Sequence, residues 1–175
     1  MTASGAWVEE PIAARHDRKC FDCGSPDLNV YLQRFARQNH VSGGAKCFVA
    51  VTTTEPDRPL GFYTLSPASL AYAQTPEIVR RGLGRYDVPV FCLGRLAVDL
   101  SVQGRGLGGK LLLAAAARAI AVAEQVGGVA LRIDAKDARS ADWYWSYGAS
   151  PLLDAELTLV LPFATLQAAV TASET

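Results

Sequence analysis

One stretch past the middle of the chain has the pattern of a strand, a glycine-rich turn and a helix start. An apolar run at residues 93–99, LGRLAVD, is followed at residues 103–111 by QGRGLGGKL. Helix N-termini leave backbone N–H groups unpaired and carry partial positive charge, and glycines let a phosphate approach the backbone without interference from a Cβ atom. The stretch therefore predicts a pyrophosphate-binding turn in a fold that mixes strands with helices.

Two familiar nucleotide-binding patterns compete for these glycines. Residues 104–110 satisfy the first part of a P-loop, but Leu111 stands where Ser or Thr must bind the magnesium ion. Gly104, Gly106 and Gly109 fit the dinucleotide fingerprint, whose first glycine should directly follow a strand near the start of a series of βαβ units. Only one strand-helix-strand unit is predicted after the motif, which is too few for a dinucleotide-binding fold. The sequence therefore argues against both the P-loop fold and the dinucleotide-binding fold.

Length and charge narrow the class of protein. The chain has 175 residues and is 50% hydrophobic, which is enough for a core of its own and short for two domains. Its formal net charge is zero, which argues against a generic nucleic-acid coat protein. Residues 76–118 nevertheless concentrate basic side chains, which are either a nucleic-acid-binding face or solvated and cofactor-binding residues. They are Arg80, Arg81, Arg85, Arg95, Arg105, Lys110 and Arg118.

The chain shows no secretory or membrane signal, and we expect a cytoplasmic protein. The first ten residues lack a cationic start with an apolar core, and the apolar run at 111–117 is far shorter than the ~20 residues of a spanning helix. Cys20 and Cys23 form a Cys-x-x-Cys pair, but Cys47 and Cys92 stand alone, so no second pair completes a zinc site. We therefore predict no metal and four free thiols.

Hydrophobic spacing and turn residues predict the element order. Strands are predicted at residues 7–12, 46–53, 59–66, 88–98, 130–135 and 156–161, with the second and third as a hairpin. Helices are predicted after Ser25, after Thr75, over residues 106–125 and from Ser140, where the Ser and Thr side chains are the expected caps. Leu28, Tyr31, Leu32 and Phe35 form the apolar stripe of the first helix.

Three phrases of the sequence resemble those of the GNAT acetyltransferase toxins of bacterial toxin–antitoxin operons. They are FDCGSPDLNVYL at 21–32, LGRLAVD with QGRGLG at 93–108, and WYWSYG at 143–148. Gln103, Gly106 and Gly108 meet the Gln-x-x-Gly-x-Gly pattern that GNAT enzymes use for acyl-coenzyme A. The resemblance covers about residues 17–162. The third phrase departs from the usual Phe-Tyr-x-x-x-Gly-Phe.

The resemblance implies an α/β (α+β) GNAT fold, in which helices flank a mixed, mostly antiparallel central sheet. Residues 1–175 would form one domain with its core at about 6–163 and a flexible last dozen residues. The implied activity is transfer of acetyl from acetyl-CoA to the α-amino group of aminoacyl-tRNA, which blocks translation. A ribbon-helix-helix antitoxin is the implied partner, and a homodimer is compatible with the family. Two alternatives stay open: acetylation of a small amine or protein N-terminus, and a non-catalytic CoA-binding regulatory module.

The reaction sets the roles of the site residues. Attack of a neutral amine on a thioester creates an oxyanion and expels a thiolate, so an N–H donor and an acid are needed. The resemblance assigns the acid to Tyr144, with Tyr147 as its rival and core packing as the structural alternative for both. It assigns the acetyl group and pantetheine arm to the backbone of Leu96, Ala97 and Val98. The resemblance assigns binding of the pyrophosphate to Gln103, Gly104, Arg105, Gly106, Leu107, Gly108, Gly109 and Lys110.

Other polar residues receive weaker roles. Asp137 either binds the cofactor or caps the following turn. Arg34 and Arg37, with Arg80, Arg81 and Arg85, are candidate tRNA contacts. His16 and His40 are expected in surface loops, and neither is assigned as a base, because an α-amino group with a pKa of about 7.7 to 8.0 is partly neutral at cellular pH.

Overall fold

The computed structural model describes residues 6–173. The chain divides into two compact units. The first holds the residues up to Leu65 together with Arg95–Ala114, and the second holds Ser66–Gly94 with the residues from Ala115 onward. Two strands and one long helix therefore contribute one end to each unit.

The first unit is built on antiparallel strands. Strand β1 (Trp7–Pro11) pairs with β2 (Lys46–Thr52), and β2 pairs with β3 (Gly61–Leu70) as the predicted hairpin. The end of β4 (Val88–Val98) is the next neighbour of β3. The N-terminal part of the long helix α4 (Leu107–Val126), up to Ala114, also belongs to this unit.

The first helical segment is interrupted by a π-helical turn. Helix α1 (Pro26–Val30) continues through the π turn Tyr31–Phe35 into α2 (Ala36–Ser42). The wider turn shifts the apolar stripe by one position, so Ala36 is fully buried and Phe35 is 52% exposed. The predicted stripe was therefore wrong at Phe35. Ser25 is the N-cap residue as predicted, but its side chain makes no capping hydrogen bond.

The two faces of β3 pack against different helices. Phe62 lies in a buried cluster with Phe21 and Tyr31, on the side of α1 and the π turn. Gly61 points to the opposite face, where an added Cβ would lie 2.8 Å from the Leu111 side chain of α4. Glycine at this position therefore lets α4 approach the sheet closely.

The second unit holds the mixed part of the sheet. Strand β4 pairs in parallel with β5 (Ala130–Asp134), β5 pairs antiparallel with β7 (Ala155–Pro162), and β7 pairs antiparallel with β6 (Ser150–Leu152). Its helices are α3 (Glu77–Arg80), α5 (Ala138–Trp145), α6 (Phe163–Ser173) and the C-terminal part of α4. The six predicted strands are confirmed, whereas β6 and α6 were not predicted.

The other two predicted caps were wrong. The Thr75 hydroxyl donates to the carbonyl of Ala71, 2.8 Å away, instead of capping α3. Helix α5 is capped by Asp137, which accepts from the N–H of Ser140, so Ser140 lies inside the helix. From residue 6 to residue 173, no helix combines the length and the apolarity that crossing a bilayer requires.

We expect Thr64→Val to raise the free energy of unfolding by about 1 kcal/mol. In the part of the chain that the structure describes, the Thr64 hydroxyl is the fully buried side-chain oxygen without a hydrogen-bond partner. Valine keeps the shape and removes the unpaired polar group. Urea denaturation measures the change, and Thr64→Ala is the control, because it removes the hydroxyl but leaves a void. A valine variant less stable than wild type would contradict the prediction.

Candidate active site

The glycine turn, residues 103–109, links the end of β4 to α4 through an open stretch of backbone. Gly104 and Gly106 have φ values of 79° and 88°, in the left-handed region, and a Cβ added to either would meet nothing within 4 Å. The N–H of Lys110 donates to the carbonyl of Gly106, 3.2 Å away, as an α-helical bond. The N–H groups just before it lie at the helix N-terminus, where intrahelical acceptors run out. The turn thus presents backbone amides to open space.

The buried carboxylate of Asp99 stabilises the start of this turn through hydrogen bonds. Asp99 is 5% exposed and accepts hydrogen bonds from the N–H of Asp22 at 3.0 Å and from both the N–H and the hydroxyl of Ser101, at 3.0 and 2.7 Å. Burial by itself would raise the pKa of Asp99, but these hydrogen bonds outweigh it and hold the pKa below its usual value. Asp99 is therefore an anion that joins the segment around Asp22 to the start of the turn.

Gln103 closes the same turn. Its side-chain Nε2 donates to the carbonyls of Val98 at 2.9 Å and Cys23 at 3.1 Å. The N–H of Leu100 donates to the carbonyl of Asp22 as well. The side-chain amide of Gln103 thus links the glycine turn to the end of β4 and to the FDCG segment of the first resembling phrase.

The two cations of the turn differ in their surroundings. The Lys110 ammonium lies 4.9 Å from the centre of the Trp7 ring, a cation–π contact with β1. Arg105 is exposed and forms no ion pair with any residue in the range 6–173. Arg105 is therefore the cation of the turn that is free to meet an anionic ligand.

The end of β4 extends beyond its parallel partner. The ladder between β4 and β5 joins Phe91–Leu93 to residues 131–133 and ends there, whereas β4 continues to Val98. Ala97 is buried in the core of the first unit, and Leu96 and Val98 are half-buried. This is the backbone segment that the family resemblance assigns to the acetyl group and the pantetheine arm, and that role stays a prediction.

An aromatic cluster at the end of α5 holds the predicted acid. Tyr144 is buried, and the Trp143 ring lies edge-on to it with ring centres 4.9 Å apart, while Tyr147 lies 5.0 Å from Trp143 on the same pattern. Burial raises the pKa of Tyr144, so its phenol is protonated at neutral pH. Within residues 6–173 the Tyr144 hydroxyl has no hydrogen-bond partner. It is a proton donor with no acceptor supplied by the described chain.

Asp137 has its carboxylate engaged by its own helix. It accepts from the N–H of Ser140 at 2.8 Å, and this bond lowers the pKa of Asp137. The sequence left Asp137 with two roles, cofactor binding and capping of the following turn. The hydrogen bond to Ser140 is a cap.

The histidines are not in surface loops as predicted. His16 is 3% exposed, its Nδ1 accepts from the N–H of Ala13 at 2.9 Å, and its Nε2 lies 2.7 Å from a carboxylate oxygen of Glu10. His40 lies in α2, and its Nδ1 accepts from the N–H of Cys47 at 3.0 Å. Both rings therefore accept a hydrogen bond from a main-chain N–H group.

The candidate tRNA contacts separate into two kinds. Arg34, Arg37, Arg81 and Arg85 are exposed and form no ion pair with the described residues. Arg80 is held instead by its own unit, with its guanidinium 4.6 Å from the centre of the Tyr72 ring and a hydrogen bond to the Tyr72 carbonyl.

The cysteines are free thiols. Cys47 is fully buried, and burial raises its pKa to about 12. In the described range 6–173 no group of three or more His, Cys, Asp or Glu side chains is arranged to hold a metal ion.

Comparison with known proteins decides the family. The chain is 38% identical over 160 residues to the tRNA-acetylating toxin of Mycobacterium tuberculosis, which covers 90% of this chain and 94% of that protein. The chain belongs to the tRNA-acetylating toxins. No protein-family model matches it. This toxin is also 27% identical over 175 residues to the probable toxin TacT of Sinorhizobium fredii, over 95% of this chain and 96% of that one.

Solved structures agree with this assignment. The structure of AtaT complexed with acetyl-methionyl-tRNAfMet matches the toxin with a TM-score of 0.87 and 26% identity, over 94% of this chain and 99% of that chain. A variant of KacT matches with the same TM-score and identity over 93% and 98%. The predicted GNAT fold, a mixed and mostly antiparallel sheet with flanking helices, is therefore confirmed.

Proposed function

We propose that this toxin transfers the acetyl group of acetyl-CoA to the α-amino group of aminoacyl-tRNA and thereby stops translation. The observation that carries the proposal is 38% identity to a tRNA-acetylating toxin across nearly the whole of both chains. AtaT, which shares the fold, has been solved with acetyl-methionyl-tRNAfMet and with acetyl-CoA. The substrate is in the cytoplasm, where we propose that the toxin acts as one catalytic domain.

The glycine turn fits the diphosphate of coenzyme A. The space above Gly104 and Gly106 is open, the amides at the start of α4 favour an anion, and Arg105 adds an exposed positive charge. The backbone of Leu96–Val98 would bind the pantetheine arm and the thioester carbonyl, which are the parts of the cofactor that need N–H donors rather than charge.

Tyr144 is the proton donor in this proposal. The amine nitrogen forms a bond to the acetyl carbon, the carbon–sulfur bond breaks, and its electron pair leaves with the sulfur. Tyr144 gives its proton to that sulfur, and the proton lost by the amine goes to water. The buried, protonated phenol without an internal partner supports this role. Tyrosine-to-phenylalanine variants of AtaT and KacT are among the structures similar to this chain.

A transfer assay tests the function. Radiolabelled acetyl-CoA is incubated with the toxin and total charged tRNA, with deacylated tRNA as the control. Label in the charged fraction alone is the expected result. Label only on added small amines would favour a conventional GNAT enzyme, and acetyl-CoA binding without any product would favour a non-catalytic module.

A ribbon-helix-helix antitoxin is the proposed partner. The toxin AtaT has been solved bound to the C-terminus of its antitoxin AtaR. We propose that a protein encoded beside this toxin binds it in the same way and suppresses acetyl transfer, since a chain segment laid over the substrate path blocks tRNA.

Charge neutralisation of Arg81 and Arg85 should weaken tRNA binding and its dependence on salt. If each side chain contacts one phosphate, each glutamine replacement makes the negative slope of log affinity against log salt shallower by about one, while acetyl-CoA affinity is retained. Filter binding between low and physiological salt measures the slope. Lys19→Gln is the control, because Lys19 is an exposed cation that is not among the candidate tRNA contacts. An unchanged slope in the double variant would remove these arginines from the tRNA path.

A further inference from the structure

Arg95 lies on the face of β4 that is turned away from α4. Side chains alternate between the two faces of a strand, so Arg95 shares a face with Ala97. Ala97 belongs to the buried cluster of Phe62 and Tyr31, on the side of α1 and the π turn. The opposite face of the neighbouring strand is the one that meets α4, as Gly61 shows. Arg95 is therefore not on the side of the glycine turn's helix.

The Arg95 guanidinium rests on a fixed aromatic ring. Its central carbon lies 3.7 Å from the centre of the Tyr31 ring. Tyr31 is 6% exposed, its ring stacks on Phe62 with centres 6.3 Å apart, and its hydroxyl accepts a hydrogen bond from Asn39 at 3.2 Å. A cation held in this way loses little further freedom when its edge binds a ligand.

The charge of Arg95 is not balanced inside the described part of the chain. The side chain is exposed and forms neither an ion pair nor a hydrogen bond with any residue in the range 6–173. The ring covers one face of the guanidinium and leaves the N–H groups at its edge available. That edge matches two oxygens of a phosphate or carboxylate.

We propose that Arg95 binds a backbone phosphate beside the aminoacylated 3′ end of tRNA and so holds the acceptor end at the site. The inference rests on the proposed function. Arg95 immediately precedes the backbone of Leu96–Val98, which is assigned to the reacting acetyl group, so an anion bound by Arg95 lies close to the chemistry. The diphosphate of coenzyme A is assigned to the glycine turn and α4 on the other face. In aminoacyl-tRNA, the phosphodiester of the terminal nucleotide is the anion nearest the acylated ribose.

The test pairs Arg95→Gln with a change in the substrate. Two aminoacylated minihelices are compared, one with a natural terminal phosphodiester and one with an uncharged methylphosphonate at that linkage. Arg95→Gln should raise KM for the natural minihelix roughly tenfold to a hundredfold, the range for a lost hydrogen bond to a charged group. The methylphosphonate should raise the KM of the wild type to a similar degree and that of Arg95→Gln no further, because both changes remove the same contact.

Controls separate this role from a structural one. Lys19→Gln should behave as wild type on both minihelices, and Arg95→Gln should keep its affinity for acetyl-CoA and its kcat at saturating minihelix. Arg95→Lys keeps the charge without the planar edge and should give an intermediate KM. Independent, additive losses from the variant and the methylphosphonate would overturn the inference alone. A wild type that acetylates neither minihelix but acetylates small amines would overturn the proposed function as well.

Discussion

Tyr144→Phe should lower the turnover number for acetyl transfer by about a hundredfold or more, the usual contribution of a general acid. The change removes one hydroxyl and keeps the ring against Trp143, and that hydroxyl has no partner among residues 6–173 to lose. Folding and acetyl-CoA affinity should therefore survive. Single-turnover acetylation of charged tRNA at saturating acetyl-CoA measures the effect, and growth inhibition on expression should fall in parallel.

Tyr147→Phe is the matched control, since it removes a hydroxyl from the same aromatic cluster. It should be far milder, whereas a collapse in this variant alone would transfer the role of the acid to Tyr147. The pH profile gives a second readout. Burial raises the pKa of Tyr144 above the ordinary value of about 10, so the acid form is not lost below that pH. The wild-type rate should therefore rise as the α-amino group deprotonates near pH 8 and stay level to about pH 10. A fall from pH 7 upward would contradict a tyrosine acid.

Gly106→Glu should abolish measurable acetyl-CoA binding. The φ of 88° at Gly106 is unfavourable for any side chain, and the space above it is open, so a glutamate would place its carboxylate where the diphosphate is proposed to lie. Isothermal titration calorimetry measures the loss. Gly43→Glu is the matched control, because Gly43 has a φ of 85° and equally open surroundings but lies at the end of α2.

The control variant should bind acetyl-CoA as wild type does, which separates the local effect from backbone strain and added charge. Gly106→Ala, with the strain but no charge, should retain part of the affinity. Unchanged affinity in Gly106→Glu would remove the glycine turn from the cofactor site, and tighter binding of ATP or NAD than of acetyl-CoA would argue against the assigned cofactor.

Long periodic elements could be predicted from the sequence because their signal is local. The bounds of β4, Val88–Val98, were predicted without error, and those of α4 to within one residue at each end. The predictions of helix caps were wrong where a side chain has several backbone groups within hydrogen-bonding reach. Thr75 bonds back to Ala71, and Asp137 rather than Ser140 caps α5. The exposure of Phe35 follows from a π turn, and the sequence does not reveal this shift because Phe35 and Ala36 are both apolar.

The candidate site shows the same division. The glycine turn is contiguous in sequence, so its pattern was readable. The hydrogen bond that stabilises its start joins Asp22 to Asp99 across 77 residues, and the pairing of Arg95 with Tyr31 likewise depends on how the sheet and the first helices pack. The donation of the Gln103 amide to Cys23 across 80 residues could not be foreseen for the same reason. His16 is buried and hydrogen-bonded to Glu10 and to the main chain of Ala13. The residues next to His16 in the sequence do not indicate that its side chain is buried.

The most direct test of acetyl transfer to aminoacyl-tRNA is to identify the atom that receives the acetyl group. Charged tRNA is incubated with acetyl-CoA and the toxin, a pyrimidine-specific ribonuclease then releases the terminal aminoacyl-adenosine, and tandem mass spectrometry locates the added group. We expect one acetyl group on the α-amino nitrogen, absent when the tRNA is deacylated beforehand and strongly reduced with Tyr144→Phe. An aminoacyl-adenosine of unchanged mass, with acetyl-CoA consumed only when free amines are supplied, would contradict the proposed function.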